Sequence, residues 1–195
     1  MGWPLVAALA FSLTPQGVAV VKQGCQPTVV EQGSDVALIQ EVQRQLTDDI
    51  DTILFCRGPG SFTSVRVVLS LVAGLRASRP KLACLSTTSF DLLAYESHYP
   101  DLAMMLVYSH QGYFYSQRWI KEQPNSEAYR LNEVEFSDNI PCFTTPCPHP
   151  KNWTIVTQHQ AITLMAMFED NKLQSALQTP YYVHDPVFNK HQKLS

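Results

Sequence analysis

One segment constrains the fold of this chain more than any other: a short apolar run, residues 52–56, followed by a turn and a long helical pattern. The apolar run has the length and composition of a buried strand. Gly58-Pro59-Gly60 interrupts it and predicts a tight turn. Either Ser61 or Thr63 can cap a helix, because its hydroxyl can accept a hydrogen bond from a free backbone N–H. The spacing of apolar residues then predicts a helix over 61–78.

The predicted helix has two different faces. One face carries bulky apolar side chains at helical spacing, and we expect it in the core: Val65, Val68, Leu69, Val72 and Leu75. The other face, which we call the small-residue face, carries Thr63, Val67, Ser70, Gly74 and Ala77. A glycine inside a helix costs roughly 1 kcal/mol relative to alanine, so Gly74 requires a packing reason. Either the small-residue face packs on a helix of the same domain, or it is the candidate partner-binding surface.

The turn before this helix is a candidate anion-binding site, formed by Gly58, Gly60 and Ser61. Free N–H groups and the helix dipole attract phosphate to helix N-termini. However, neither a phosphate-binding loop with Gly-Lys-Ser/Thr nor a G-x-G-x-x-G pattern is present. A turn that directs the helix is therefore the simpler interpretation of the same residues.

The composition indicates a folded protein that does not bind nucleic acid by itself. The chain has 195 residues, is 45% hydrophobic and carries a net charge of −3, whereas nucleic-acid-binding domains are usually basic. Five scattered cysteines predict reduced thiols and a cytoplasmic location rather than a disulfide framework. The apolar run 3–13 lacks a preceding basic residue and is too short to span a membrane, so we expect a buried first strand.

The order of elements predicts an α/β protein with mixed sheets. Three strands in hairpins are followed by helix, strand, helix, strand and helix, which implies helices on the faces of a mixed sheet. The pattern restarts after Pro100 and includes a last edge strand at Thr179–Val183. We therefore expect an N-terminal α/β half over 1–99, which carries the turn and helix, and a shorter, degenerate α/β half over 100–195.

The motif Gly58-Pro59-Gly60-Ser61-Phe62-Thr63, with Val65-Arg66 and Gly74-Leu75 after it, resembles the signature of the TsaB (YeaZ) family. Weaker matches lie at Gly112 and Tyr115, and at Pro180-Tyr181-Tyr182-Val183. The resemblance implies the actin-like, sugar-kinase-like fold (the ASKHA, ribonuclease H-like class) of two related α/β halves. It also implies a non-catalytic subunit of the bacterial machinery that attaches threonylcarbamoyl to the adenosine beside the tRNA anticodon.

The resemblance further implies which partners to expect. These are a TsaD-like catalytic subunit, which the protein would bind and activate, a TsaE-like ATPase, and a second copy of the chain in a homodimer. The protein would contact transfer RNA only as part of the complex, and we expect no association with a membrane. Two alternatives stay open: a free-standing small-molecule kinase or ATPase of the same fold, and a degenerate homodimeric paralogue that has lost its partner.

No catalytic residue, metal or cofactor is expected. Ser12 stands where the family's first strand carries an aspartate, so we expect no ATP hydrolysis, which needs carboxylates to hold a metal. Cys142, Cys147 and His149 have the spacing C-x4-C-x-H without a second pair of ligands, whereas structural zinc sites use four. The remaining histidines are isolated, and no nucleophile motif accompanies them.

Overall fold

The computed structural model describes residues 7–14, 17–98, 101–109, 113–131, 140–147, 154–156, 160–175, 179–181 and 183. Within these ranges the chain forms two six-stranded mixed sheets and four helices. The predicted α/β class is therefore confirmed. None of the described helices is both long and apolar enough to cross a membrane.

The first sheet is built mainly from the N-terminal part of the chain. Its strands and helices are β1 (Ala7–Thr14), β2 (Gly17–Lys22), β3 (Thr28–Glu31), α1 (Asp35–Gln45), β4 (Ile50–Cys56), α2 (Phe62–Ser78), β5 (Ala83–Thr87) and α3 (Ser89–Ser97). The second sheet contains β6 (Leu102–Tyr108), β7 (Phe114–Ile120), β8 (Gln123–Pro124), β9 (Tyr129–Leu131), β10 (Cys142–Thr144) and β11 (Thr154–Ile155). The chain ends its described elements with α4 (Gln160–Glu169) and β12 (Gln174–Ser175).

The two sheets begin in the same way. In the first, β1 pairs antiparallel with β2 and parallel with β4. In the second, β6 pairs antiparallel with β7 and parallel with β10. The first sheet has the strand order β12-β5-β4-β1-β2-β3, and the second has β11-β10-β6-β7-β8 with β9 also paired to β7. Each sheet thus combines an opening hairpin with parallel strands, as the two related halves of the expected fold require.

The central strand β1 is buried on both faces. Leu9 and Phe11 pack toward the core beneath α1 and α2, while Ala8 and Ala10 pack toward α4. All four are fully buried. This alternation explains why β1 reads as a continuous apolar run, since a strand covered on both faces has no polar side.

The helix α3 lies between the two sheets. Leu92 belongs to the core on the first sheet, and Phe90 and Leu93 belong to the core on the second. Thr88 and Asp91 form a capping box at its start, in which each side chain accepts a hydrogen bond from the other's backbone N–H. The helix begins next to the turn that precedes α2, where the N–H of Ser89 donates to the carbonyl of Gly58.

The helix α4 and the strand β12 return to the first sheet after the second sheet is complete. α4 contributes Leu164 and Met165 to the core beneath Ala8 and Ala10, and β12 pairs with β5. The proposed division between 1–99 and 100–195 stays a prediction. The described residues at 179–181 and 183 are not in a strand, so the expected edge strand there is wrong. Pro180 has no N–H for a ladder, and the edge position on β5 is occupied by β12.

Candidate partner-binding surface

The helix α2 faces the core with the bulky residues that the sequence assigned to it. Val68, Val72 and Leu75 are buried against the first sheet, and Val65 and Leu69 are half-buried. Ser61 caps the helix by accepting a hydrogen bond from the N–H of Ser64, with 3.5 Å between Oγ and N. The predicted helix and the direction of its core face are confirmed.

The small-residue face of α2 is turned away from the core. Thr63, Ser70, Gly74 and Ala77 are exposed, and Val67 is half-buried at the margin of the core. A Cβ atom built on Gly74 meets no described atom within 4 Å. The described part of the chain therefore supplies no neighbour that would explain a glycine here. A role for this face in binding a partner stays a prediction, but the face is open to one.

The helix beside α2 extends this surface with apolar side chains. α1 contacts α2, and its outer side exposes Val36 (56%) and Ile39 (38%). Phe62, the first residue of α2, is also 46% exposed. These three side chains add apolar area to the outer side of α1 and to the start of α2.

The turn before α2 is held by the start of α3. The N–H of Ser89 donates to the carbonyl of Gly58 (2.9 Å), and its hydroxyl donates to the carbonyl of Pro59 (2.6 Å). The Gly58–Pro59 peptide bond is cis, and Gly58 has φ of 97°. Other residues rarely adopt this conformation, so glycine at this position fixes the direction in which α2 leaves the sheet.

The candidate anion site borders a small cavity of about 60 Å³. Gly58, Gly60 and Ser61 all line it, but no Asp, Glu, Lys, Arg or His is among its lining residues. Pockets for nucleotides and other ligands are usually larger, at about 300–1,000 Å³. Anion binding here stays a prediction, whereas the structural role of the turn is visible in its hydrogen bonds to Ser89.

Ser12, which stands where the resemblance places an aspartate, has a structural contact. Its hydroxyl is 2% exposed and accepts a hydrogen bond from the N–H of Ala161 in the first turn of α4, at 3.3 Å. It thus satisfies one of the free N–H groups at that helix start. The sequence showed that the carboxylate is missing but gave no sign of this contact, because the two residues are 149 positions apart.

Two buried cysteines, Cys56 and Cys142, have thiols with raised pKa values. Burial raises the pKa of Cys56, whose Sγ lies 3.2 Å from Oγ of Ser89, and burial raises the pKa of Cys142 to about 11. Such thiols are poor nucleophiles because little thiolate is present at neutral pH. In the described ranges no group of three or more His, Cys, Asp or Glu could hold a metal. His149 lies outside those ranges.

Comparison with solved structures identifies the fold. YeaZ from Pseudomonas aeruginosa superposes with a TM-score of 0.61 and 16% identity, over 91% of this chain and all of that one. A second structure, described as an uncharacterized protein from Pseudomonas aeruginosa with similarity to peptidase YeaZ, superposes with a TM-score of 0.62 and 18% identity, over 92% of this chain and all of that one. No protein-family model and no curated protein sequence matches the chain. The chain therefore has the YeaZ fold, which confirms the actin-like architecture implied by the sequence motif.

Proposed function

We propose that this protein is an accessory subunit of the complex that forms threonylcarbamoyl-adenosine in tRNA beside the anticodon. In this role it binds a TsaD-like catalytic subunit and holds it in an active conformation. A TsaE-like ATPase is the further partner, and tRNA is reached only through the complex. The YeaZ fold and the Gly58–Thr63 motif support the proposal, because both resemble the TsaB family, whose role this is.

The observation that carries the proposal is the open small-residue face of α2. Ser70 and Gly74 are one helical turn apart and both are exposed. Small side chains allow a second helix to approach closely, and the empty space at Gly74 leaves room for its backbone. Exposed Val36 and Ile39 on α1 provide apolar area beside that contact, which a bound partner would remove from water.

The alternative of a free-standing kinase or ATPase receives less support from the same structure. The cavity beside the turn is small and its lining carries no charged side chain. Phosphoryl transfer depends on carboxylates, metal ions and cationic groups arranged around the phosphates. The Ser12 side chain carries no charge, and its hydroxyl already accepts a hydrogen bond from the N–H of Ala161 on α4. We therefore place the active site of the proposed complex on the partner rather than on this chain.

The test is a substitution that fills the space at Gly74. Gly74→Leu should abolish retention of the TsaD-like subunit in a pull-down from the source cell, because the added side chain blocks the close approach. The protein itself should stay folded, since the new side chain meets no described atom at its Cβ. Glu169→Leu is the matched control: it places the same leucine at an exposed position of α4, which packs on the opposite face of the first sheet.

Two results would contradict the proposal. One is a wild-type pull-down that retains no TsaD-like subunit, identified by mass spectrometry. The other is an unchanged complex in Gly74→Leu with a lowered melting temperature, which would show that the face packs inside the protein. A third result would support the degenerate homodimeric paralogue. In that case the wild type does not bind a TsaD-like subunit, and Gly74→Leu converts a homodimer to monomers.

A further inference from the structure

A second and much larger cavity lies between α3 and the second sheet, away from α2. Its volume is about 680 Å³, which falls in the usual range for small-molecule sites. Its walls come from the start of α3, the strands β5 and β7, and the end of α4, and no residue of α2 lines it. Nothing in the proposed function uses this space.

The cavity contains a cation held in a fixed position. Arg57 follows β4, and its backbone is tied on both sides: its N–H donates to Thr87 (3.0 Å) and its carbonyl accepts from Tyr181 (2.9 Å). The guanidinium carbon lies 5.1 Å from the centre of the Tyr181 ring. Among the described residues no carboxylate lies within ion-pair distance of this guanidinium. Its N–H donors are therefore available to a bound molecule.

An anion with an unused oxygen lines the same cavity. The three described side-chain and backbone donors to Asp91, from Thr87 and Thr88, all reach Oδ2, at 2.6–2.8 Å. Oδ1 accepts no hydrogen bond within the described part of the chain. Ser86 adds a buried hydroxyl, 6% exposed, that also lines the cavity and enters no described hydrogen bond. Buried polar groups usually have partners, so such groups in a cavity point to a ligand.

Part of the remaining wall is apolar or already hydrogen-bonded, and Glu122 adds a further carboxylate to it. The indole N–H of Trp119 donates to Gln117 (3.0 Å), so this ring offers mainly its apolar surface. Asp170 accepts from the hydroxyl of Tyr95 (2.8 Å), and Lys172 lies 5.3 Å from the centre of that ring. These two charges are thus engaged with Tyr95, whereas the charges of Arg57 and Asp91 are not paired with each other.

We propose that this cavity binds a free α-amino acid with an apolar side chain, whose carboxylate contacts Arg57 and whose ammonium group contacts Asp91. The planar guanidinium matches a carboxylate through two parallel hydrogen bonds. Oδ1 of Asp91 accepts from the ammonium group, and the side chain packs on the surface near Trp119. A simple anion would fulfil only the Arg57 half of this arrangement.

The test compares three probes by calorimetry at neutral pH. L-Phenylalanine carries both charges, 3-phenylpropionate lacks the ammonium group, and 2-phenylethylamine lacks the carboxylate. We expect saturable binding of L-phenylalanine with a Kd of about 1 mM or tighter, and binding of each analogue weaker by about tenfold, since each loses one charged hydrogen-bonded contact.

Substitutions assign the two charges. Arg57→Gln should weaken L-phenylalanine binding by about tenfold. Arg66→Gln is the matched control, because Arg66 also lies 5.1 Å from an aromatic ring, that of Phe62, but on α2 outside the cavity. Asp91→Asn serves as the second variant, and it should remove the preference for L-phenylalanine over 3-phenylpropionate. Melting temperatures verify that each variant is folded.

Three outcomes would overturn the proposal. The first is no saturable binding of L-phenylalanine up to about 10 mM. The second is equal affinity for L-phenylalanine and 3-phenylpropionate in the wild type, which would mark an anion site only. The third is unchanged binding in both Arg57→Gln and Asp91→Asn, which would place the probe elsewhere.

Discussion

The hydroxyl of Thr163 on α4 donates a hydrogen bond to Oε1 of Glu96 on α3. The bond joins the helix between the two sheets to the helix that covers the first sheet. Glu96 is half-buried, and burial raises its pKa from the ordinary 4.5 to about 7. The protonation state of Glu96 therefore affects the free energy of unfolding of the protein.

This linkage predicts that stability falls as pH rises from about 4.5 to 7. Because the folded protein binds the proton of Glu96 more tightly than the unfolded chain does, the contribution is fully present below pH 4.5 and is lost as pH rises through 7. Glu96→Gln mimics the protonated group, so it should stabilise the protein at pH 8 by about 1 kcal/mol after solvent screening. The melting temperature should rise by about 2–4 °C.

The same variant should have little effect at pH 4.5, where Glu96 is protonated in the folded wild type. Glu31→Gln, an exposed position at the end of β3, is the control for removal of one negative charge. An equal gain from Glu96→Gln at pH 4.5 and pH 8 would contradict the prediction, because it would not depend on titration.

Gly74→Ala should stabilise the isolated protein. A Cβ at this position meets no described atom within 4 Å, so the substitution adds helix propensity without a clash. We expect a gain of about 0.5–1 kcal/mol in the free energy of unfolding, measured by urea denaturation. A loss of stability would show that the space at Gly74 is filled in the isolated protein, and it would weaken the case for a partner there.

Ser12→Ala should destabilise the protein by about 1–2 kcal/mol. The substitution removes the acceptor for the N–H of Ala161 and leaves that buried donor without a partner. Ser34→Ala is the comparison, because Ser34 caps the exposed start of α1, where water can replace its hydroxyl. Chemical denaturation of the two variants should show the larger loss in Ser12→Ala. Equal or smaller loss would mean that α4 does not depend on Ser12.

Gly17→Ala should be the most damaging single glycine substitution in the first sheet. Gly17 has φ of 142°, and a Cβ there would lie 2.2 Å from the carbonyl oxygen of Val30 on β3. The β2–β3 pairing must shift to admit it, which we expect to cost about 2–3 kcal/mol. The measurement is the thermal unfolding of both variants. Gly60→Ala is the control and should be close to neutral, because a Cβ there meets no described atom within 4 Å.

The sequence predicted most of the first sheet because its elements follow local rules. Helix α2 was expected over 61–78 and is observed at Phe62–Ser78, since apolar spacing and a capping serine define it without tertiary information. The burial of Val68 followed from the same periodicity, whereas the periodicity left open whether Gly74 packs inside the domain. Strand β5 extends to Ser86 and Thr87, which are polar yet buried beside α3, so apolar composition alone does not predict where this strand ends.

Features that depend on distant residues could not be predicted. The pairing of β12 with β5 joins residues about ninety positions apart, and neither Gln174 nor Ser175 has the composition of a strand. The cavity around Arg57 needs Asp91 and Tyr181, which no spacing rule relates to each other. The motif at Gly58–Thr63 identified the fold, but it carried no information about that cavity.

The return of α4 to the first sheet has a consequence for how the protein is made. Ala8 and Ala10 emerge from the ribosome early, yet the helix that covers them ends at Glu169. One apolar face of the first sheet therefore stays unshielded during synthesis of the whole second sheet. Such exposed surface promotes aggregation of partly made chains. We infer that truncation before α4 yields an N-terminal fragment that requires a chaperone, even though every strand of its central hairpin is present.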